Sequence, residues 1–121
     1  MYKIAIDRPR NLVEVTLGGL MTVQEVAEYI AELQRQFIAN HMRSYVMIVD
    51  VSQAPIQSQD MIRAMGQHMG AMPKAQAIAV VTGSSLARMQ IKRLFTQSYS
   101  RIVMTIEEGR AWVLAGEEPQ R

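Results

Sequence analysis

The sequence predicts a single α/β domain of order β-β-α-β-α-β-α-β-α, with a mixed, mostly parallel sheet packed against helices. Three observations predict it. The first seventeen residues hold two runs of apolar/polar alternation. Two short, nearly continuous apolar runs, Tyr45 to Val51 and Ala77 to Val81, read as strands buried on both faces. Stretches of helical spacing separate them, and strands alternating with helices imply right-handed crossovers and a parallel sheet.

The chain has 121 residues, 49% of them apolar and 20% charged. That composition belongs to one globular domain and argues against disorder. The absence of cysteine excludes a disulfide scaffold, a thiolate nucleophile and a cysteine-held metal. Thirteen Lys and Arg against eleven Asp and Glu give a net charge of +2, too little to argue for nucleic acid. No apolar run approaches the roughly 18 residues of a membrane helix. The N-terminus enters a strand pattern at once, so neither a signal peptide nor an integral membrane segment is expected, and the expected location is cytoplasmic.

In chain order, Tyr2, Ile4 and Ile6 alternate with Lys3, Ala5 and Asp7, and residues 12–17 alternate again. Arg8-Pro9-Arg10-Asn11 between them is a turn, because proline sets its φ and asparagine tolerates the left-handed region. A β-hairpin follows. Thr22-Val23-Gln24-Glu25 is a capping box. It opens a helix whose apolar face is expected to be Val23, Val26, Ala27, Ile30, Leu33 and Phe37, ending at Asn40-His41. Residues 52–57 form a loop with Pro55. A helix is expected from about Ser58 to Met72, stopped by Pro73. Thr82-Gly83-Ser84-Ser85 leads into a helix from Leu86 to about Thr96, and Ile102 to Met104 is a short strand. Thr105 to Glu108 is a second capping box, and its helix runs to about Leu114 and ends at Gly116. The domain is thus expected to span 1–116, with 117–121 a flexible, fraying tail.

Chemistry-bearing residues are few. Asp50 lies near the C-terminal end of its strand, where open α/β sheets place ligand crevices. The preferred reading is that it orders the 52–57 loop by accepting from its amides. Asp60 falls in the first turn of its helix and offsets the dipole there. Ser84 and Ser85 open a helix whose free N–H groups could hold an anion, with Arg88, Lys92, Arg93 and Arg101 following. The GxxxxGK[ST] spacing is absent. His41 and His68 have no acidic or histidine neighbour at ligand spacing, so no metal site is expected. An enzyme built on Asp50 and His68 ranks last, because no motif joins them. Ten methionines are unusual for this length. Met61, Met65, Met69 and Met72 form a stripe on one helix, beside Gly66 and Gly70. The stripe is either a core face or an adaptable binding surface. As a surface it would exceed what one small sheet needs to cover, and a homodimer is the expected consequence.

Three segments carry a resemblance. They are Ile48-Val49-Asp50-Val51-Ser52, then Val80-Val81-Thr82-Gly83-Ser84-Ser85-Leu86-Ala87-Arg88-Met89-Gln90, and Ile106-Glu107-Glu108-Gly109-Arg110-Ala111-Trp112-Val113-Leu114. Together with the element order over about residues 2–114, they resemble the STAS domains and, more closely, the SpoIIAA-like proteins. That family includes anti-sigma factor antagonists and is sometimes grouped with lipid-binding CRAL-TRIO domains. The resemblance implies a non-catalytic protein-interaction domain without cofactor, whose partner is another protein such as an anti-sigma factor-like regulator. It places the interface over Asp50, Ser52, Ser58, Asp60, Met61, Met65 and Met69. The antagonists carry Asp-Ser-Ser-Gly where this chain has Gln57-Ser58-Gln59-Asp60. Ser58 is the phospho-acceptor the resemblance implies, although Asp60 would repel the added charge. The alternative reading is a carrier of a small apolar or lipid-like ligand held near the methionines.

Overall fold

The computed structural model describes residues 1–54 and 74–119, together with Arg63, Ala64 and Gln67 and without the Leu94 side chain. These residues build a five-stranded mixed sheet and three helices, the expected α/β class. The strands are β1 (Tyr2–Asp7), β2 (Leu12–Gly18), β3 (Val46–Gln53), β4 (Ala77–Val81) and β5 (Ser100–Val103). The helices are α1 (Val23–Ala39), α2 (Ser85–Leu94) and α3 (Ile106–Ala115). Arg63, Ala64 and Gln67 are helical and fall within the helix expected over 58–72.

The expected hairpin forms. β1 pairs antiparallel with β2 in the register Tyr2↔Leu17 to Asp7↔Leu12. Asn11 adopts φ 49, and its N–H bonds the Arg8 carbonyl at 3.1 Å, so the left-handed tolerance of asparagine closes the turn. Asp7 Oδ2 accepts from Arg10 Nε at 2.7 Å. That bond holds the exposed Asp7 carboxyl below its usual range.

β2, β3, β4 and β5 are mutually parallel, and the strand order across the sheet is the order in the chain. Every crossover therefore steps in the same direction. A right-handed crossover stepping one way puts its helix on one particular face of the sheet. α1 and α2 accordingly share a face. Val26, Tyr29, Ile30, Leu33 and Phe37 of α1 and Ala87 and Ile91 of α2 pack on Val13, Val15, Met47, Val49, Ile78 and Val80. α3 follows the last strand and takes the opposite face. There Gly109 and Val113 are buried, and Ile106, Trp112 and Val113 pack on Leu12, Val46, Ile48, Ala79, Val81 and Val103.

The caps are local and behave as read. Thr22 Oγ1 accepts from Glu25 N at 3.0 Å, and Thr105 Oγ1 from Glu108 N at 3.1 Å. The Glu108 carboxylate reaches back to Met104 N at 3.1 Å. Gly116 ends α3 at φ 71. α1 ends in a Schellman motif: His41 N–H bonds the Ile38 carbonyl and Met42 N–H the Phe37 carbonyl. His41 occupies the left-handed position at φ 53, where glycine is usual. Its backbone closes the helix.

Several boundaries differ from expectation. On α1, Val23 and Ala27 are exposed and Tyr29 is buried. The buried stripe runs Val26, Tyr29, Ile30, Leu33, Phe37, and at about 100° per residue Val23 and Ala27 fall beyond one flank of it. The Tyr29 ring meets Tyr2 of β1 at 5.7 Å. Tyr45 precedes β3 instead of opening it, but is buried against Phe37 at 4.7 Å. α2 starts at Ser85, one residue before the expected Leu86, because Ser84 is its cap, and it ends at Leu94. β5 covers Ser100–Val103, so Met104 lies outside it and is exposed. Its partner β4 ends at Val81, opposite Val103, and leaves nothing for Met104 to pair with. The tail expected to fray holds two tethers. Glu117 N–H bonds the Ala111 carbonyl, and Glu118 pairs with Arg101.

Candidate functional site

Because β2 to β5 are parallel, the segments that follow them emerge at one end of the sheet. Asp50 and Ser52 stand at that end of β3. Between the pairs Thr16↔Asp50 and Gly18↔Gln53, β2 advances two residues and β3 three. The extra residue makes a bulge in β3. Asp50 Oδ1 stabilises it, accepting from Ser52 N at 2.9 Å and Ser52 Oγ at 2.6 Å. Asp50 thus orders the bulge at the end of β3; the loop expected over 52–57 does not begin at residue 52, because Ser52 and Gln53 belong to β3, and residues 55–57 lie outside the described residues.

Asp50 also faces a cavity of about 170 Å³. The strand alternation explains its walls. Tyr2, Ile4 and Ile6 of β1 and Val13, Val15 and Leu17 of β2 turn to the face covered by α1. Lys3, Ala5, Glu14 and Thr16 turn to the other. The register aligns Lys3 with Thr16 and Thr16 with Asp50, so a polar row crosses three strands. α3 closes one side with Ile106 and Arg110. Arg110 reaches Glu14 across 96 residues of sequence, with Nη2 and Nε 2.9 and 3.2 Å from Oε1. Two cations, two carboxylates and a hydroxyl around so small an open space suit a small polar group. Lys3, Glu14, Thr16 and Arg110 escaped the sequence reading. Their signal was the polar half of each strand alternation, which marks a wet face without saying what shares it.

At the same end, Ser84 caps α2, its Oγ accepting from Ala87 N at 3.2 Å. Its own N–H donates to Oγ1 of the buried Thr82 at 3.2 Å. One amide of the expected anion site is thus filled by the chain's own hydroxyl. Ser84, Ser85 and Arg88 are exposed. Ser58, Asp60, Met61, Met65 and Met69 lie outside the described residues, as do Gly66, His68, Gly70 and Met72. Among the described residues there is no cluster of His, Cys, Asp and Glu able to hold a metal ion, and no helix is long and apolar enough to cross a membrane.

Exposed apolar side chains are unevenly distributed. Eight large ones are exposed among the described residues: Met1, Leu20, Val23, Ile38, Leu86, Met89, Met104 and Leu114. Leu20 and Val23 follow β2, Leu86 and Met89 follow β4, and Met104 follows β5. Met1 bonds the end of β2, its carbonyl accepting from Gly18 N at 2.8 Å. Six of the eight therefore belong to segments that meet the sheet at its carboxyl end, the end that also carries Asp50, Ser52 and Ser84. No family model matches the chain, and no curated protein matches it.

Proposed function

We propose that the chain is a non-catalytic protein-interaction domain of the SpoIIAA-like kind, binding its partner with the carboxyl end of the sheet. One observation carries the reading: six exposed apolar side chains gather at that end. Exposed apolar groups scattered singly are ordinary, but their concentration at one end of a fold is the mark of an interface. The polar groups at the same end of the sheet, Asp50, Ser52, Ser84 and Ser85, supply the orienting hydrogen bonds an interface needs. The partner this chemistry fits is a protein presenting an apolar surface with polar groups at its margin, such as an anti-sigma factor-like regulator. A lipid-like cargo is less well supported, because the cavity beside Asp50 carries Lys3, Glu14 and Arg110 on its walls.

The test begins with a partner captured on the immobilised wild type, then purified and titrated calorimetrically. Leu20 is 72% and Met104 66% exposed, so a glutamate at either place leaves the core intact. Leu20→Glu and Met104→Glu, with unchanged circular dichroism, are expected to weaken binding about tenfold each, as loss of an interface anchor does. Unchanged affinity in both variants would remove the reading. The proposal includes a homodimer, and sedimentation showing a monomer at all concentrations would remove that part alone.

A further inference from the structure

On the far side of α3 from the charged cavity, Arg101 and Trp112 make a second arrangement. Arg101 Nη1 donates to the Ser98 carbonyl at 2.7 Å and the Ser100 carbonyl at 2.9 Å. Its guanidinium lies over the Trp112 ring, 4.2 Å from the centroid. The ring is itself pinned, with Nε1 donating to the carbonyls of Ile78 at 3.2 Å and Tyr99 at 3.3 Å. Backbone groups thus fix both planes. The remaining edge of the guanidinium, Nε and Nη2, points outward as a two-pronged donor. That is the geometry that binds a carboxylate through both oxygens.

The edge is occupied by the chain itself. Gly116, at φ 71, turns the backbone after α3, and Glu117 N–H bonds the Ala111 carbonyl. Glu118 then meets Arg101, with Oε2 2.8 Å from Nε and Oε1 2.8 Å from Nη2. The two halves of this contact differ in kind. The receptor is held by four backbone carbonyls, whereas the occupant is a side chain 63% exposed. Because the Glu118 carboxylate is open to water, another carboxylate can exchange with it, while the backbone carbonyls hold the receptor's shape.

We propose that Arg101 and Trp112 form a recognition site for the carboxylate of an acidic peptide segment, and that Glu118 occupies it as a self-ligand which such a segment displaces. The partner is then a protein offering a glutamate or aspartate side chain in an extended stretch. This inference stands apart from the apolar end of the sheet and does not depend on it.

Trp112 is the single tryptophan of the chain, so its fluorescence reads the site directly. The probe is the acetylated, amidated peptide Gly-Glu-Glu-Pro, titrated to millimolar concentration against the full chain. Glu118→Gln is expected to bind it about fivefold more tightly than wild type, the gain from removing a competitor worth about 1 kcal/mol. Adding Arg101→Lys to Glu118→Gln is expected to abolish the response, since an ammonium cannot offer the fork. Equal affinity of wild type and Glu118→Gln would overturn the proposal, as would no binding by Glu118→Gln. Acetate binding as tightly as the peptide would overturn the assignment to a peptide.

Discussion

The two faces of the sheet are built differently. On one, α1 and α2 are the helices that cover the sheet among the described residues, and the residues beneath them are apolar from Val13 to Val80. On the other, the covering among the described residues is one helix of ten residues. Five strands span about 19 Å between the outer axes, while a helix with its side chains is about 10 Å wide. α3 packs over β3, β4 and β5 and leaves the β1–β2 side open. The residues beneath change character where the helix stops: Ile48, Ala79 and Val103 lie under it, Asp50 at its margin on β3, and Lys3 and Thr16 beyond it. The covered face is where burial stabilises the fold. The half-covered face is where the chain can afford charge, and there it forms a cavity.

Substitutions can break this comparison. The largest effect belongs to the covered face. Leu33→Ala removes a side chain 1% exposed and should cost about 2–5 kcal/mol in denaturant unfolding. A cost under 1 kcal/mol would mean that the face is loosely packed. Second comes the contact of α3 with the sheet. A Cβ on Gly109 would lie 3.3 Å from Ala79 Cβ, 3.6 Å from Val103 Cγ2 and 3.7 Å from Ile48 Cδ1. Gly109→Leu should therefore lever α3 away and cost about 1–3 kcal/mol, read by thermal melting. A stability equal to wild type would show that α3 sits farther off the sheet.

Alkaline pH sharpens the comparison further, because buried tyrosines lie on the covered face alone. Burial pushes the Tyr45 hydroxyl up to about 12, and it raises Tyr29 in the same direction. The folded protein thus holds its protons more tightly than the unfolded chain. The stability this represents is fully present below the unfolded value near 10 and is lost as pH rises through about 12. Unfolding should set in across that window, with tyrosinate absorbance rising in step. Ionisation of all four tyrosines near pH 10 without unfolding would place both rings in water.

The smallest effect belongs to the open face. Arg110→Ala breaks the Glu14 pair, which is partly exposed on both sides, and should cost no more than about 1 kcal/mol. A double-mutant cycle with Glu14→Gln measures the coupling. A coupling of several kcal/mol would mean that the cavity is sealed from water.

The elements themselves were legible because the forces that end them are local. Asn11 closes the hairpin, Thr22 and Thr105 cap their helices and Gly116 stops the last one, each through bonds to residues within a few positions. The edges misread are those where a distant partner decides. β5 stops at Val103 because β4 stops at Val81, and Tyr29 is buried because β1 lies beside it. Asp50 was legible as a strand-end carboxylate. Its neighbours in the cavity were not, since Lys3 and Arg110 stand at opposite ends of the chain.

By itself the sequence determined the periodicities, the turns and the caps, and with them an α/β domain whose early strands each have a wet side. Helical and strand periods follow from backbone geometry, and caps and turns from hydrogen bonds a few residues long. Only the tertiary structure decided that α3 takes the face opposite α1 and α2, and that it stops short of β1. Only the tertiary structure brought Arg110 to Glu14 and Glu118 to Arg101 over Trp112. Those choices depend on which surfaces remain uncovered once the sheet has formed, a property of the assembled sheet and not of any stretch of chain.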